Sequence, residues 1–238
     1  MKTGTQILHK ADTRGKANHG WLNSFHSFSF GGYYDPARSH FGVLRVLNDD
    51  TVAAGMGFGK HPHDNMEIIS IPTSGDLKHK DSMGNETVIK QGDIQVMSAG
   101  TGIAHSEMNA NTNKEVRFFQ IWLFPNKKNV QPRYGQYTID EAKMHNRLLQ
   151  VLSPDEKEEG VWIHQDAWFS MGNLDQGFET TYRVKGNGNG VYVFVIEGDA
   201  TVNGQALNRR DGLGVKDTDT LSIKADSHAR LLLMDVPV

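Results

Sequence analysis

The 238-residue sequence predicts an all-β fold of two jelly-roll β-barrels or sandwiches in tandem, with little helix. Three observations lead there. Short apolar runs are separated by Gly, Asn and Asp, the punctuation of strands and turns. Hairpin signals fall between those runs, where tight turns are needed. Helix signals are confined to one stretch near the middle of the chain.

Taken in order, the strand candidates of the first half are FGVLRVL (41–47), MEIISIP (66–72), DIQVM (93–97) and VRFFQIWLF (116–124). Met83-Gly84-Asn85 supplies a turn among them. The second half repeats the style in VYVFVIEGDATVNG (191–204), with a turn at Val202-Asn203-Gly204, then in TLSIKA and ARLLLMDV. Between the halves, Thr138 to Leu149 carries Asp140 and Glu141 early and Lys143 and Arg147 later, the charge order of a short helix. The expected organisation is an N-terminal domain over 1–134, a linker with a short helix over 135–148, and a C-terminal domain over 149–238.

Composition narrows the chemistry. A net charge of −3, with 25 basic and 28 acidic residues mixed along the chain, argues against direct binding of nucleic acid or of an anionic membrane. With no cysteine, a metal would have to be held by His, Asp, Glu or backbone oxygen. The opening MKTGTQILHKADTRGKANHG has scattered charges and no apolar core of a secretion signal, and no apolar run reaches the length of a membrane span. A cytoplasmic protein is expected.

The stretch GKHPHDNME (59–67) places His61 and His63 two apart. On a strand both project from one face, with alpha carbons roughly 7 Å apart. Pro62 falls on the other face and suits a strand edge. Glu67 shares the parity of the two histidines. A second stretch, GTGIAHSEMN (100–109), places His105 and Glu107 two apart on one face. An isolated H-x-H in a β-protein is usually surface decoration. Three imidazoles and a carboxylate gathered together would be desolvated and mutually unfavourable without a cation, so the two pairs jointly point to a metal site. Spacing leaves open whether Glu67 or Glu107 is the fourth ligand. A mixed nitrogen and oxygen set suits Fe(II), Mn(II), Co(II), Ni(II), Cu(II) or Zn(II), and four ligands on a six-coordinate ion leave two positions free.

These residues resemble the cupin superfamily. Gly55, His61, His63 and Glu67 match its first motif, G-x5-H-x-H-x3-E, and Gly102, His105 and Asn109 match the G-x-x-H-x3-N ending of its second. Two features depart from the pattern: Gly100 stands where a proline is usual, and the gap from Gly92 to His105 is long. With GWLNSFHSFSFGGYYDP, HKDSMGN (79–85) and MSAGTGIAHSE (97–107), the chain resembles the pirin family. That resemblance implies two cupin domains, the second degenerate and without metal. It implies one metal per chain, Fe(II) first, held by His61, His63, His105 and Glu107, with Glu67 behind them. It further implies quercetin 2,3-dioxygenase activity, in which a small aromatic flavonol is opened by O2 and Glu107 accepts its hydroxyl proton. The same family implies, alternatively, an iron-redox-sensitive regulator that acts through protein contacts with transcription factors.

The remaining histidines read more plainly. His9, His19, His40, His145 and His164 have no partner at ligand spacing and read as solvated or capping. His26 and His79 line the site entrance or, more simply, pack. Phe25, Phe28, Phe30, Phe118, Phe119, Trp122 and Phe124 read as core, and Gln120 inside the last run is a candidate for a pocket hydrogen bond supporting the site.

Overall fold

The computed structural model describes residues 4–238. Twelve strands precede residue 140: β1 (Thr5–His9), β2 (Gly15–Asn18), β3 (Leu22–His26), β4 (Leu44–Val52), β5 (Gly57–His63), β6 (Glu67–Ser74), β7 (Leu77–Asp81), β8 (Glu86–Ile89), β9 (Asp93–Ser98), β10 (Ile103–Asn109), β11 (Val116–Leu123) and β12 (Arg133–Thr138). Eleven of them build the first half. Seven form a sheet in the order β12-β9-β6-β11-β4-β3-β2, facing a four-stranded sheet in the order β5-β10-β7-β8. The second half repeats the pairing of a seven-stranded with a four-stranded sheet, so the protein is all-β, two tandem two-sheet domains of the jelly-roll kind.

β1 is the exception to this division. It pairs antiparallel with Gly212–Lys216 at the edge of the second half's large sheet, from Thr5 opposite Lys216 to His9 opposite Gly212. His9 is consequently buried at the seam between the halves, its Nδ1 2.9 Å from the Tyr192 hydroxyl, and burial holds its pKa down at about 4. The solvated role expected for it is therefore wrong, because the strand that ends on it crosses to the other sheet. The only helical turn between the halves is a 3-10 turn, Glu141–Met144, capped by the Asp140 carboxylate accepting from the Ala142 N–H.

Strand alternation decides what lies between the sheets and what lies between the halves. On β11, Phe119, Ile121 and Leu123 join Phe28, Phe41, Tyr192 and Phe194 in the large apolar cluster of the seam, where Phe119 and Phe194 meet edge to face at 5.4 Å. The intervening Phe118, Gln120 and Trp122 point inward. The second half's interior is mostly apolar, filled by residues such as Val191, Val193, Val195, Leu231 and Leu233, with a buried carboxylate, Asp235, accepting from Tyr182 and Asn189. The first half's interior is not. Its apolar residues form two small clusters, one around Leu22, Val52 and Phe118, the other around Ile68, Met97 and Ile103. The four residues Ser70, Gln120, Asn48 and His26 lie directly opposite one another across β6, β11, β4 and β3, so they form one polar row on the inner face. No helix among the described residues is long and apolar enough to cross a membrane.

Candidate metal centre

β5 is an edge strand, which is why Pro62 is tolerated there: the position it occupies needs no ladder donor on the outer side. Opposite it on β10, His105 faces His61 and Ile103 faces His63. Two residues further on, Glu107 faces Phe58 rather than the residue that regular pairing would supply, so β5 carries one extra residue between Phe58 and His61. This bulge turns the Gly59 carbonyl toward His61, whose Nδ1 lies 2.8 Å from that oxygen. Nδ1 donates there, which leaves Nε2 bare and fixes the ring's direction.

The three imidazoles converge. Ring centroids lie 4.8 Å apart for His61 and His63, 4.5 Å for His61 and His105, and 5.0 Å for His63 and His105. One ring nitrogen from each falls within 4.8 Å of the other two, a grouping able to hold a metal ion. His63 Nε2 and both nitrogens of His105 are buried without a hydrogen-bond partner. Burial, reinforced by His105 and His61, holds the His63 pKa down at about 4. Burial with His61 and His79 beside it holds His105 at about 3. His63 and His105 are therefore neutral at neutral pH, with ring nitrogens that no protein group uses.

Glu107 leaves the same strand face as His105, but its carboxylate is directed at the opposing sheet. Ser70 Oγ donates to Oε1 at 2.8 Å and Gln120 Nε2 donates to Oε2 at 2.6 Å. The polar row thus anchors the carboxylate beside the histidines. Glu67 lies elsewhere. Asn65, at φ 43°, breaks the chain between His63 and Glu67 and sends it into the other sheet, so the shared parity does not survive folding. Glu67 Oε2 accepts from Ser98 Oγ at 2.8 Å and from the His164 N–H at 3.3 Å, and hydrogen-bonds none of the three histidines. Burial raises its pKa to about 7 against the opposing pull of Ser98, His164 and Arg133.

The motif's other positions have local reasons. Gly100 sits at φ 49°, which proline cannot adopt, and a Cβ there would lie 2.0 Å from the Val130 carbonyl oxygen. Asn109 uses its side-chain amide to bind the carbonyls of Val52, Ala53 and Lys114, clamping the loop after β10.

A cavity of about 350 Å³ opens beside His61, His63 and Glu107, a size suited to a small molecule. Trp122 stands edge-on to His63 at 5.0 Å, and Phe30 edge-on to Trp122 at 5.4 Å, so two aromatics expected in the core instead wall the cavity. Phe28, Phe118 and Phe119 are core, as expected, while Phe124 is exposed. His26 lines the cavity from β3. His79 is fully buried, its Nε2 3.0 Å from Asp81 and its ring packed on His105 and Tyr134. Four polar residues of the site were not singled out in the sequence: Ser24, Asn48, Asp50 and Ser70. Their signal is a polar residue at an inward position of an apolar strand, as in IISIP and LRVLND, and only the sheet register gives it meaning.

Comparison with known proteins gives concordant matches. The family profile described as Pirin matches residues 8–123, and that of the quercetinase C-terminal cupin domain matches 150–236. The chain is 42% identical to quercetin 2,3-dioxygenase of Escherichia coli K12 over 97% of its own length and 98% of the relative's. It is 39% identical to a pirin-like protein of Caulobacter vibrioides, covering 94% and 96%. It superposes on the crystal structure of the bacterial pirin YhhW from Escherichia coli in complex with nickel(II) with a TM-score of 0.92 and 40% identity, covering 98% and 99%.

Proposed function

This chain belongs to the pirin family, and on that premise we propose that it is a metal-dependent oxidoreductase of the quercetin 2,3-dioxygenase kind, opening a flavonol with O2 at the His61, His63 and His105 cluster. The observation that carries the reading is the cluster itself. Three imidazoles converge beside an aromatic-walled cavity, and His63 Nε2 and both nitrogens of His105 are buried without a partner. Leaving such buried nitrogens unpaired costs about 1–3 kcal/mol each, a cost that a shared cation removes. The donor set is what a divalent ion of the Fe(II) to Zn(II) series accepts, and one site per chain follows from the single such grouping among the described residues.

In this reading His61, His63, His105 and Glu107 would hold the ion, with Fe(II) as the metal used. The chemistry such an ion supplies is polarisation of a ligand oxygen and electron exchange with O2 next to the substrate. The chain's own residues do the rest. His61 is aimed by the Gly59 carbonyl and does not need to reorganise on binding. Glu107 is the acceptor for the flavonol hydroxyl proton: the O–H bond breaks, the proton moves to a carboxylate oxygen, and the substrate is left as an electron-rich enolate. Gln120 and Ser70 hold that carboxylate at the cavity wall. Trp122 and Phe30 present apolar edges to a flat ring system and exclude water from one side of it.

Oxygen uptake by Fe(II)-loaded protein given quercetin, run beside His63→Ala, tests this. Uptake matched to flavonol loss and absent in the variant is expected. Loss of flavonol without uptake, or equal rates in both proteins, overturns it.

A further inference from the structure

The cavity continues past Gln120, away from the histidines. On the inner face Gln120 stands opposite Asn48 of β4, and Asn48 opposite His26 of β3. One step along the same strands, Asp50 stands opposite Ser24. Neighbouring strands lie about 4.8 Å apart, so this second polar group is centred roughly 5–10 Å beyond the residue that anchors Glu107. Ser24, His26, Asn48 and Asp50 all line the cavity, and each is at least 97% buried.

Their hydrogen-bonding capacity is only partly used. Asn48 Oδ1 and His26 Nδ1 have no partner. Ser24 Oγ donates to Asp50 Oδ1, which leaves Oδ2 as the acceptor a ligand could reach. None of the four touches the metal-ligand set through a hydrogen bond. The buried polar residues inside the second half are, by contrast, bonded to one another, Tyr182 and Asn189 both donating to Asp235. The apolar walls beside this polar row are Phe30, Trp122, Phe58 and Leu22. A cavity with a polar row running from Glu107 toward Asp50 and apolar walls fits a flat molecule with polar groups along its length.

We propose that Asp50, supported by Ser24 and Asn48, is a hydroxyl-binding subsite that takes the pendant, hydroxylated ring of a polyphenolic substrate, and so selects molecules with hydroxyls at both ends. This rests on the flavonol reading above, which assigns the near end to the metal site. Asp50 Oδ2 accepts from a ring hydroxyl, and Asn48 meets a second hydroxyl on the same ring through its amide. Burial pushes the Asp50 carboxyl up to about 7 against the Ser24 hydrogen bond, with Glu107 and Asp49 adding to the rise. Near neutral pH it can therefore serve as donor as well as acceptor.

Binding under anaerobic conditions tests the subsite without any turnover. Metal-loaded protein is titrated with quercetin and with the flavonol of the same skeleton that lacks hydroxyls on the pendant ring, following quenching of tryptophan fluorescence. Wild type should bind quercetin about 10- to 100-fold more tightly than the deoxygenated flavonol, the worth of one or two hydrogen bonds to a buried carboxylate. Asp50→Ala should bind the two within about threefold of each other, while Ser24→Ala, which keeps the carboxylate, retains most of the difference. Equal binding of both flavonols by wild type overturns the subsite, and needs no variant to fold. Full discrimination in a folded Asp50→Ala does the same. Hydroxyl-dependent binding without oxygen uptake would remove the dioxygenase reading and leave the subsite standing. Uptake at equal kcat/KM on both flavonols would do the reverse.

Discussion

Gln120 on β11 and Glu107 on β10 face each other across the interior of the first domain, the Gln120 amide donating to Glu107 Oε2 at 2.6 Å. One sheet supplies the metal-ligand candidates and the other holds the carboxylate at their side. Gln120→Leu keeps the volume and removes the donor, leaving Ser70 alone to orient Glu107. Metal affinity should fall about 10- to 100-fold, as it does when the partner of a metal-binding side chain is lost. Competition with a chromophoric chelator measures it.

Removing the metal should lower thermal stability. Binding to the folded state alone, at a free concentration 100 times Kd, contributes about 2.7 kcal/mol, equivalent to roughly 5–10 °C for a chain of this size. Chelation should therefore shift the melting curve of wild type downward and leave that of His105→Ala unmoved. Calorimetry with and without chelator reads both.

The seam offers a contrasting control. Phe119 is fully buried and faces Phe194 of the second domain, on the side of β11 opposite Gln120. Phe119→Ala should cost about 3–5 kcal/mol of stability through the cavity it leaves. Metal stoichiometry, measured by elemental analysis of the folded variant, should stay at that of wild type.

Glu67 gives a pH dependence of definite sign. Its pKa is raised from 4.5 to about 7 in the folded protein, so between those values the folded state binds more protons than the unfolded state. Stability is therefore fully present below about pH 4.5 and lost as pH rises through 7, by about 3 kcal/mol in total for this group. Asp50, also raised to about 7, acts in the same direction. Glu67→Gln keeps an acceptor for Ser98 and for the His164 N–H and does not ionise. Denaturant unfolding of the metal-free proteins should show a shallower decline from pH 5 to 8 in the variant.

The chain's local features were legible because they depend only on neighbours in sequence. The apolar runs from 66 to 72, 93 to 97 and 116 to 124 became β6, β9 and β11, and the turn at Asn203-Gly204 separates two short paired strands. The H-x-H and H-x-E pairs fell on β5 and β10 with the histidines facing inward. What sequence did not yield depends on register between distant strands. Ser24, Asn48 and Gln120 lie far apart in the chain and meet only because β3, β4 and β11 are adjacent. Glu67 shared a parity with His63 that a single left-handed residue, Asn65, abolished. Phe30 and Trp122 read as core because hydrophobicity alone does not distinguish a cavity wall from a packed interior.

One ion is expected among His61, His63, His105 and Glu107 of each chain. A crystal of Fe(II)-loaded protein, with anomalous differences collected at the iron edge, tests it most directly. One peak per chain is predicted, within bonding distance of His61 Nε2, His63 Nε2, a ring nitrogen of His105 and a carboxylate oxygen of Glu107. A peak elsewhere, or an ion held by the three histidines with Glu107 still bound to Ser70 and Gln120 alone, would contradict it.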